Sequence, residues 1–403
     1  MKKAALLPLL LSLGLILGGC AAPAPASAGS SGEPAGLEAL MASATSIKLS
    51  GDSAEIKGPG AAFSGGRLSI STGGSFLITG SLKNGCILVD TGEAKQDVNL
   101  ILSAADIHCA DGPGILIDRA GDTCIYVPEG SVSRVSSGQS SGELKAPEND
   151  EAGAAVYAHD DLEFAGPGEL SLEGYINNGL GCRNDLKISG GSLDITAANT
   201  GLKGNESVSI SGGLLKIRCM NDGIKTSDRE KEGKGSVNIS GGEIFVEQAG
   251  DQAIVSVRDI NISGGSLLLS SARDGLKAGD KTFSGSVNIS GGELFLCSGN
   301  DAIDANGGLN LSGGSLAALG KDKDIKCSVS ASVPFYAGLL KAGEGQSLAV
   351  YSPSGELLFQ LECPWEVKSA YISLPGLSSG DTCRVMTGAE PSALKESGSF
   401  TAG

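Results

Sequence analysis

The sequence predicts an all-β protein whose main part is a parallel β-helix, and three observations predict it. The motif Ile-Ser-Gly-Gly recurs five times, and once more with leucine first, at spacings of 22 to 29 residues. Each repeat holds three short segments with period-two alternation, separated by glycines. Three strands and three turns fill such a repeat and leave no room for a helix. The motif begins at Ile188, Ile210, Ile239, Ile262, Ile289 and Leu311.

Apolar residues return in register with the motif, which predicts that each coil buries its side chains on those of its neighbours. A leucine-rich repeat is the competing architecture at this period, but its pattern does not fit the paired glycines. Looser coils are expected upstream of residue 186. The expected core positions are Leu186, Val208, Val237, Ile260, Val287 and Leu309; Leu193, Leu215, Ile244, Leu267, Leu294 and Leu316; Ile195, Ile217, Val246, Leu269, Leu296 and Ala318; and Leu202, Ile224, Ile254, Leu276, Ile303 and Ile325.

The chain divides into five predicted segments. Residues 1–20 read as a bacterial lipoprotein signal, with Lys2 and Lys3 before an apolar stretch that ends in Leu-Gly-Gly-Cys at Cys20. Cleavage before Cys20 and lipidation of its sulfur would place the protein on the outer face of a bacterial cell membrane. Residues 21–37 read as a flexible tether, 38–329 as the β-helix, 330–390 as a small β module covering its end, and 391–403 as a tail.

Composition excludes several function classes. The formal net charge is −16, which argues against nucleic acid or an acidic membrane surface as partners and suits cation binding. Only two histidines are present and no Cys-x-x-Cys spacing occurs, so a Ser-His-Asp triad and a zinc site are unsupported. Nine cysteines follow Cys20; Cys363 and Cys383 are the most plausible disulfide pair, and buried free thiols are the favoured alternative.

A column of acids is predicted twelve residues after each motif start. Carboxylates stacked about 5 Å apart repel by roughly 3 kcal/mol at an effective dielectric near 20. The column must therefore be hydrated, protonated or partnered by cations, and lysines or Ca²⁺ are the candidates. Asp-Gly is also a common turn former, and that reading stays open. The column is Thr200, Asp222, Asp251, Asp274 and Asp301, and Asn221, Asn300 and Asp304 offer further oxygens beside it.

Lysines stand three residues further on, at Lys203, Lys225, Lys277 and Lys326. The ladders on either side point inward, so these side chains should point outward. They could neutralise the aspartates or hold the carboxylates of acidic sugars. Two insertions, 226–235 and 278–285, fall at one corner and begin near Asp228 and Asp280. Insertions on one face of a solenoid often mark its binding face, although solvated loops are the simpler reading.

These motifs resemble a family of exported β-helix proteins described as carbohydrate-binding domain-containing, which bind cellulose and acidic sugars. The resemblance covers residues 45 to 390. It implies a right-handed parallel β-helix with bound calcium, similar in shape to family-nine pectate lyases. It also implies calcium ligation by Asp222, Asp274 and Asp301, with Asp228 and Asp304 as neighbours. The matching stretches are "SFLITGSLKNGCILVD", "AAVYAHDDLEFAGPGELSLEGYINNGLGC", "NDGIKTSD" and "SLAVYSPSGELLFQ".

Three functions remain open at this point. The first is a non-catalytic, monomeric polysaccharide-binding protein that favours polygalacturonate or pectin and also takes cellulose. Residues 186–327 contain no tyrosine or tryptophan, which favours acidic glycans over a flat cellulose surface. The second is a calcium-dependent pectate lyase acting by β-elimination, with Lys225 or Lys277 as the base. The third is an adhesin or structural surface protein.

Overall fold

The computed structural model describes residues 41–138 and 153–403, and it is a β-solenoid whose coils each contribute strands to three parallel ladders. The predicted signal segment and tether, Cys20 included, lie outside the described residues. No helix in the described part of the chain is long and apolar enough to cross a membrane. Among the described residues, short 3-10 turns lie at Gly92–Ala94 and Pro391–Ala393.

Ladder one carries the first strand of each coil, directly before the Gly-Gly turn. Its strands are parallel to one another throughout. They are Thr123–Tyr126, Leu162–Ala165, Asp185–Ile188, Ser207–Ile210, Ser236–Ile239, Ile260–Ile262, Val287–Ile289, Leu309–Leu311 and Val329–Ala331.

Ladder two carries the strand after that turn, and ladder three carries the strand after the acidic corner. Both ladders are parallel between successive coils. Ladder two is Val132–Ser137, Glu169–Gly174, Ser192–Ala197, Leu214–Cys219, Glu243–Ala249, Ser266–Ser271, Glu293–Ser298 and Ser315–Gly320. Ladder three is Arg67–Ile70, Cys86–Asp90, Ile115–Arg119, Val156–Ala158, Leu180–Cys182, Leu202–Gly204, Ile224–Thr226, Ile254–Ser256, Leu276–Ala278 and Ile303–Ala305.

The first coils are less regular, as expected upstream of the repeats. Three long strands, Thr45–Gly51, Gly74–Leu82 and Val98–Cys109, pair in parallel and run across both of the first two ladders. Two short antiparallel strands close this end: Ser53–Lys57 pairs with Thr45–Gly51, and Ala61–Ser64 pairs with Arg67–Ile70. These pairings occupy the hydrogen-bonding edge that an open solenoid end would otherwise expose.

The core positions predicted from the repeat are confirmed. Leu193 pairs with Leu215, which pairs with Ile244, and the register follows the motif spacing through to Leu316. Every predicted core residue is buried except Ile325, which packs partly buried against the cluster. The mostly parallel all-β architecture is thus as predicted, while the hand of the solenoid stays a prediction.

The paired glycines are required by the turn between ladders one and two. The second glycine of each motif has positive φ, for example +91° at Gly213. A Cβ there would lie 2.8 Å from the carbonyl oxygen of Gly191 in the preceding coil. Glycine alone meets both the conformation and the close stacking of these turns.

The C-terminal module continues ladder two and covers the end of the solenoid. Val367–Ser373 pairs antiparallel with Ser315–Gly320 on one side and with Tyr336–Ala342 on the other. A separate four-stranded antiparallel sheet packs beside them. Its strands, in spatial order, are Leu357–Cys363, Gln346–Tyr351, Thr382–Gly388 and Lys395–Thr401.

Two predictions for this module need correction. Residues 391–403 are not a tail, since Lys395–Thr401 is the edge strand of the sheet and buries Phe400. Cys363 and Cys383 are free thiols at opposite ends of the sheet. Cys363 lies opposite Gln346, whereas Arg384, next to Cys383, lies opposite Tyr351. Five residues of strand, roughly 17 Å, separate them, too far for a disulfide.

Candidate functional site

The corner between ladders two and three holds the predicted acidic column, here called the corner column. Strand register aligns one residue per coil directly before ladder three, and all six are buried. The side chain of one coil accepts a hydrogen bond from the backbone amide of the next, as Asp222 Oδ1 does from Gln252 N at 3.2 Å. The corner column is Asn178, Thr200, Asp222, Gln252, Asp274 and Asp301.

Asp251 is not part of this column, contrary to the count from the motif. A β-bulge around Glu247 adds one residue to the strand Glu243–Ala249, so Gln252 takes the column position. Asp251 lies one position earlier, where its Oδ1 is 3.4 Å from Arg273 Nε. Burial and the nearby charge of Asp222 raise the pKa of Asp251 above its usual range.

Each buried aspartate of the corner column is paired with a lysine ammonium group. Lys225 Nζ lies 2.9 Å from Asp222 Oδ2, and Lys277 Nζ lies 3.2 Å from Asp274 Oδ2. Lys277 also reaches Asp304, at 2.7 Å. The predicted neutralisation of the column by lysines is therefore present in the structure.

The lysines themselves form a shorter row than predicted. Ladder three aligns Lys203, Lys225, Val255, Lys277 and Asp304 on its outer face, so valine interrupts the row and an aspartate ends it. Lys326 lies beyond the last strand of this ladder. It instead reaches back to Asp301 at 2.8 Å and to Asp322 at 3.1 Å.

Negative charge accumulates at the C-terminal end of the column. Four carboxylates there face two ammonium groups, those of Lys277 and Lys326, which leaves a net charge of −2. Asp301 Oδ1 is buried and accepts no hydrogen bond from the described residues. Burial raises the pKa of Asp301, although Lys326 opposes that shift. The four carboxylates are Asp274, Asp301, Asp304 and Asp322, of which Asp322 was not predicted.

This acidic end fits a divalent cation only in part. Its net charge and the orphaned Asp301 oxygen suit one, and oxygen ligands are what Ca²⁺ takes. Within the described residues, however, no three acidic, histidine or cysteine side chains converge on one point. The Asn300 amide nitrogen also donates to Asp274 Oδ1 at 2.7 Å. A bound ion would therefore have to displace a lysine ammonium group.

The two insertion aspartates hold their own loops. Asp228 Oδ1 accepts hydrogen bonds from the backbone amides two and three residues further on, and Asp280 Oδ1 does the same. Those bonds hold the pKa of Asp280 below its usual range, and the Arg229 guanidinium beside it adds to the effect. Asp228 and Asp280 thus occupy equivalent positions in the same type of turn, as predicted. Arg229, from the first loop, forms an ion pair with Asp280 in the second.

The first insertion also walls a groove of about 530 Å³ on the outer face of ladder three. His159, Arg183, Asn205 and Ser227, one per coil, line its floor, and residues 228–231 form the wall. Beside the floor, the Tyr157 ring lies across Gly181, where a Cβ would approach it to 3.0 Å. The sequence marked the insertion 226–235 as a candidate binding face, but it missed His159 and Arg183 because they precede the regular repeats.

Comparison with known proteins places this chain in one family. The family described as carbohydrate-binding domain-containing protein matches residues 64–272 and 248–347, more than half of the chain. The chain belongs to that family, as its motifs predicted. A carbohydrate-binding domain-containing protein of Acetivibrio thermocellus is 39% identical over 201 residues, which cover 50% of this chain and 69% of that protein.

A solved structure with the same kind of fold is the polysaccharide lyase-like protein from C. thermocellum, determined as a gadolinium derivative. It is 28% identical, with a TM-score of 0.50, and the match covers 66% of this chain and 96% of that one. The likeness covers about two thirds of this chain and supports the assignment of its architecture.

Proposed function

We propose that this protein is a non-catalytic polysaccharide-binding protein that favours acidic plant-cell-wall glycans such as polygalacturonate and also takes cellulose. Family membership supports carbohydrate as the ligand class. The observation that carries the acidic preference is the outer face of ladder three. It presents Lys203, Lys225 and Lys277 beside the half-buried ring of Tyr157.

A polyanionic glycan suits this face for an electrostatic reason. The chain as a whole carries −16 charges, so an acidic polymer is repelled from most of its surface. Ladder three places Lys203 and Lys225 on neighbouring strands about 4.8 Å apart, which offers two ammonium groups to such a polymer. Carboxylates along a uronate chain would compete there with Asp222 and Asp274 for the lysines.

We further propose a calcium ion at the acidic end of the corner column, with Asp274, Asp301, Asp304 and Asp322 as its ligands. The net charge of −2 and the unpartnered Asp301 oxygen support this position over Asp222, whose two oxygens are already engaged. Displacing Lys277 or Lys326 would turn those ammonium groups toward solvent, where they could meet sugar carboxylates.

The pectate lyase alternative is less well supported. A lysine that removes a proton near neutral pH needs a lowered pKa. Burial alone would lower the pKa of Lys277, but its hydrogen bond to Asp304 and the nearby carboxylates raise it instead. Lys225 is held in an ion pair with Asp222. Lys277 is thus arranged as a charged ammonium group, and Lys225 is engaged with a carboxylate.

The lipid anchor completes the proposal, since a tethered binder at the outer face of the membrane would hold polymer at the cell surface. This part of the proposal rests on the sequence alone, on Cys20 and the tether that follows it. We expect the protein to act as a monomer, because the C-terminal module and the N-terminal strand pairs close both ends of the solenoid.

Calorimetric titration of the mature protein with polygalacturonate, fully methyl-esterified pectin and cellulose oligosaccharides tests the proposal. We expect polygalacturonate to bind most tightly, calcium to raise that affinity, and chelator to lower it. No unsaturated uronide should appear in the ultraviolet spectrum of the mixture. Binding that is insensitive to chelator would contradict the proposed calcium site. Accumulation of unsaturated product would show that the protein is a lyase and not a non-catalytic binder.

A further inference from the structure

The groove beside the first insertion has a floor built for repeated polar contacts. His159, Arg183, Asn205 and Ser227 each follow the last residue of a ladder-three strand. Backbone hydrogen bonds between coils, such as Asn205 N to the Cys182 oxygen at 2.8 Å, fix that register. Successive floor residues therefore stand about one strand spacing, roughly 4.8 Å, apart.

Arg183 is the cationic side chain of this groove that can bind a ligand, because the other cations have partners within the protein. Lys231 pairs with Glu206, and Arg229 pairs with Asp280. His159 Nδ1 lies 3.0 Å from Asp118 Oδ1. Arg183 is exposed, and among the described residues its guanidinium has neither an ion-pair nor a hydrogen-bond partner. A guanidinium fork binds a carboxylate through two parallel hydrogen bonds.

Polar and aromatic groups flank Arg183. The Asn205 carboxamide oxygen accepts a 2.6 Å hydrogen bond from the Ser227 hydroxyl, which turns the amide nitrogen toward the groove as a donor. On the other side, the Tyr157 ring lies over Gly181 and meets His159 edge-on, with 5.2 Å between ring centroids.

We propose that this groove is a subsite for one uronate unit of an acidic polysaccharide, with Arg183 holding the carboxylate. Asn205 donates to a ring hydroxyl of the same sugar. The subsite rests on the proposed carbohydrate function and goes beyond it, because it lies apart from the corner column and requires no calcium.

Arg183→Gln tests the subsite, with Arg67→Gln as the matched control. Arg67 is an exposed arginine on the same ladder, four coils away, so its loss changes the net charge equally. The ligands are trigalacturonate and its methyl ester, titrated in the presence of chelator. A charge-assisted hydrogen-bonded pair supplies roughly 1.5–3 kcal/mol, or about 10- to 100-fold in affinity.

We expect Arg183→Gln to weaken trigalacturonate binding at least tenfold and to leave the methyl ester unaffected, while Arg67→Gln binds both as the parent does. Arg183→Lys should restore only part of the loss, because an ammonium group lacks the fork. Unchanged binding in Arg183→Gln would overturn the subsite alone. A parent protein that binds the ester as tightly as the acid would overturn the carboxylate contact, and one that binds neither would overturn the carbohydrate function with it.

Discussion

At the scale of single residues, the buried aspartates are held by two kinds of partner. The backbone amide of the next coil satisfies one oxygen of Asp222 and of Asp274, and a lysine satisfies the other. A repeated Asp-Gly step can be explained by turn formation alone. Turn formation does not explain why a lysine pairs with the equivalent aspartate in separate coils. These lysines therefore stabilise the fold as well as lying on the outer face.

Replacing Lys277 by methionine should therefore destabilise the protein, by about 1–3 kcal/mol at pH 7. The change leaves Asp274, which is 3% exposed, without its ammonium partner while keeping most of the side chain's volume. Partial exposure of the lysine keeps the expected loss below that of a fully buried pair. The free energy of unfolding from urea titration measures it.

Lys187→Met is the control for that measurement, because Lys187 is exposed on ladder one. Its expected effect is within about 0.5 kcal/mol. Equal stability of the two variants at pH 7 would show that the Lys277 pair contributes nothing.

At the scale of the elements, the Gly-Gly turn sets how closely the coils stack. The turn repeats once per coil, and each positive-φ glycine approaches the backbone of the turn before it. The insertion at 226–235 contains a glycine of similar conformation but different surroundings. Gly233 has φ +75°, and a Cβ on it would meet nothing within 4 Å. Comparing Gly213 with Gly233 therefore distinguishes the cost of a left-handed backbone from the cost of a steric clash between stacked turns.

Gly213→Ala should destabilise the protein by about 2–4 kcal/mol, and Gly233→Ala by only about 1 kcal/mol. Both changes impose a left-handed conformation on alanine. Only the first also forces a Cβ against the Gly191 and Gly190 carbonyl oxygens, at 2.8 and 2.9 Å. The measurement is the loss of stability on thermal unfolding of each variant. Equal losses in the two variants would mean that the turns stack without close contact.

The same repetition explains how much the sequence predicts. Core ladders follow from the motif spacing, since every coil buries equivalent positions. Predicting a position by counting residues from the motif gives the wrong residue wherever one coil has an insertion. The bulge near Glu247 is such a case, since it moves Asp251 out of the corner column. Asp322 and Tyr157 lie outside the regular repeats, so no periodicity marks them. The last strand, Lys395–Thr401, is mostly polar, and its single buried Phe400 gives no alternation to read.

At the scale of the whole molecule, the interior contains thiols stacked among small residues. Cys182 occupies the same ladder position as Gly204, Thr226, Ser256 and Ala278. Cys219 aligns with Ala197, Ala249 and Ser271 in ladder two. Burial raises the pKa of the Cys182 and Cys219 thiols to about 12 each. The solenoid therefore keeps these groups neutral where an unfolded chain would ionise them.

Folding stability should consequently fall with rising pH above about 8.5, the ordinary thiol pKa. In that range the unfolded chain binds fewer protons than the folded one, so the free energy of unfolding decreases as pH rises. Each such thiol contributes a slope of about −1.4 kcal/mol per pH unit until pH reaches its folded pKa near 12. Guanidinium unfolding at pH 7 to 10.5, with reductant present, measures the slope.

The double variant Cys182→Ala/Cys219→Ala isolates the cause. Alanine already occupies equivalent positions, so we expect a modest loss at pH 7, about 1 kcal/mol per site. Between pH 9 and 10.5 its slope should be shallower than the parent's by about 2.7 kcal/mol per pH unit, since two of the raised pKa values are gone. The parent should therefore lose its advantage of about 2 kcal/mol near pH 9, and the double variant should be the more stable protein at pH 10.5. A parallel offset at every pH would mean that the two thiols ionise with the same pKa in the folded and unfolded states, and that their burial does not set the alkaline limit of this protein.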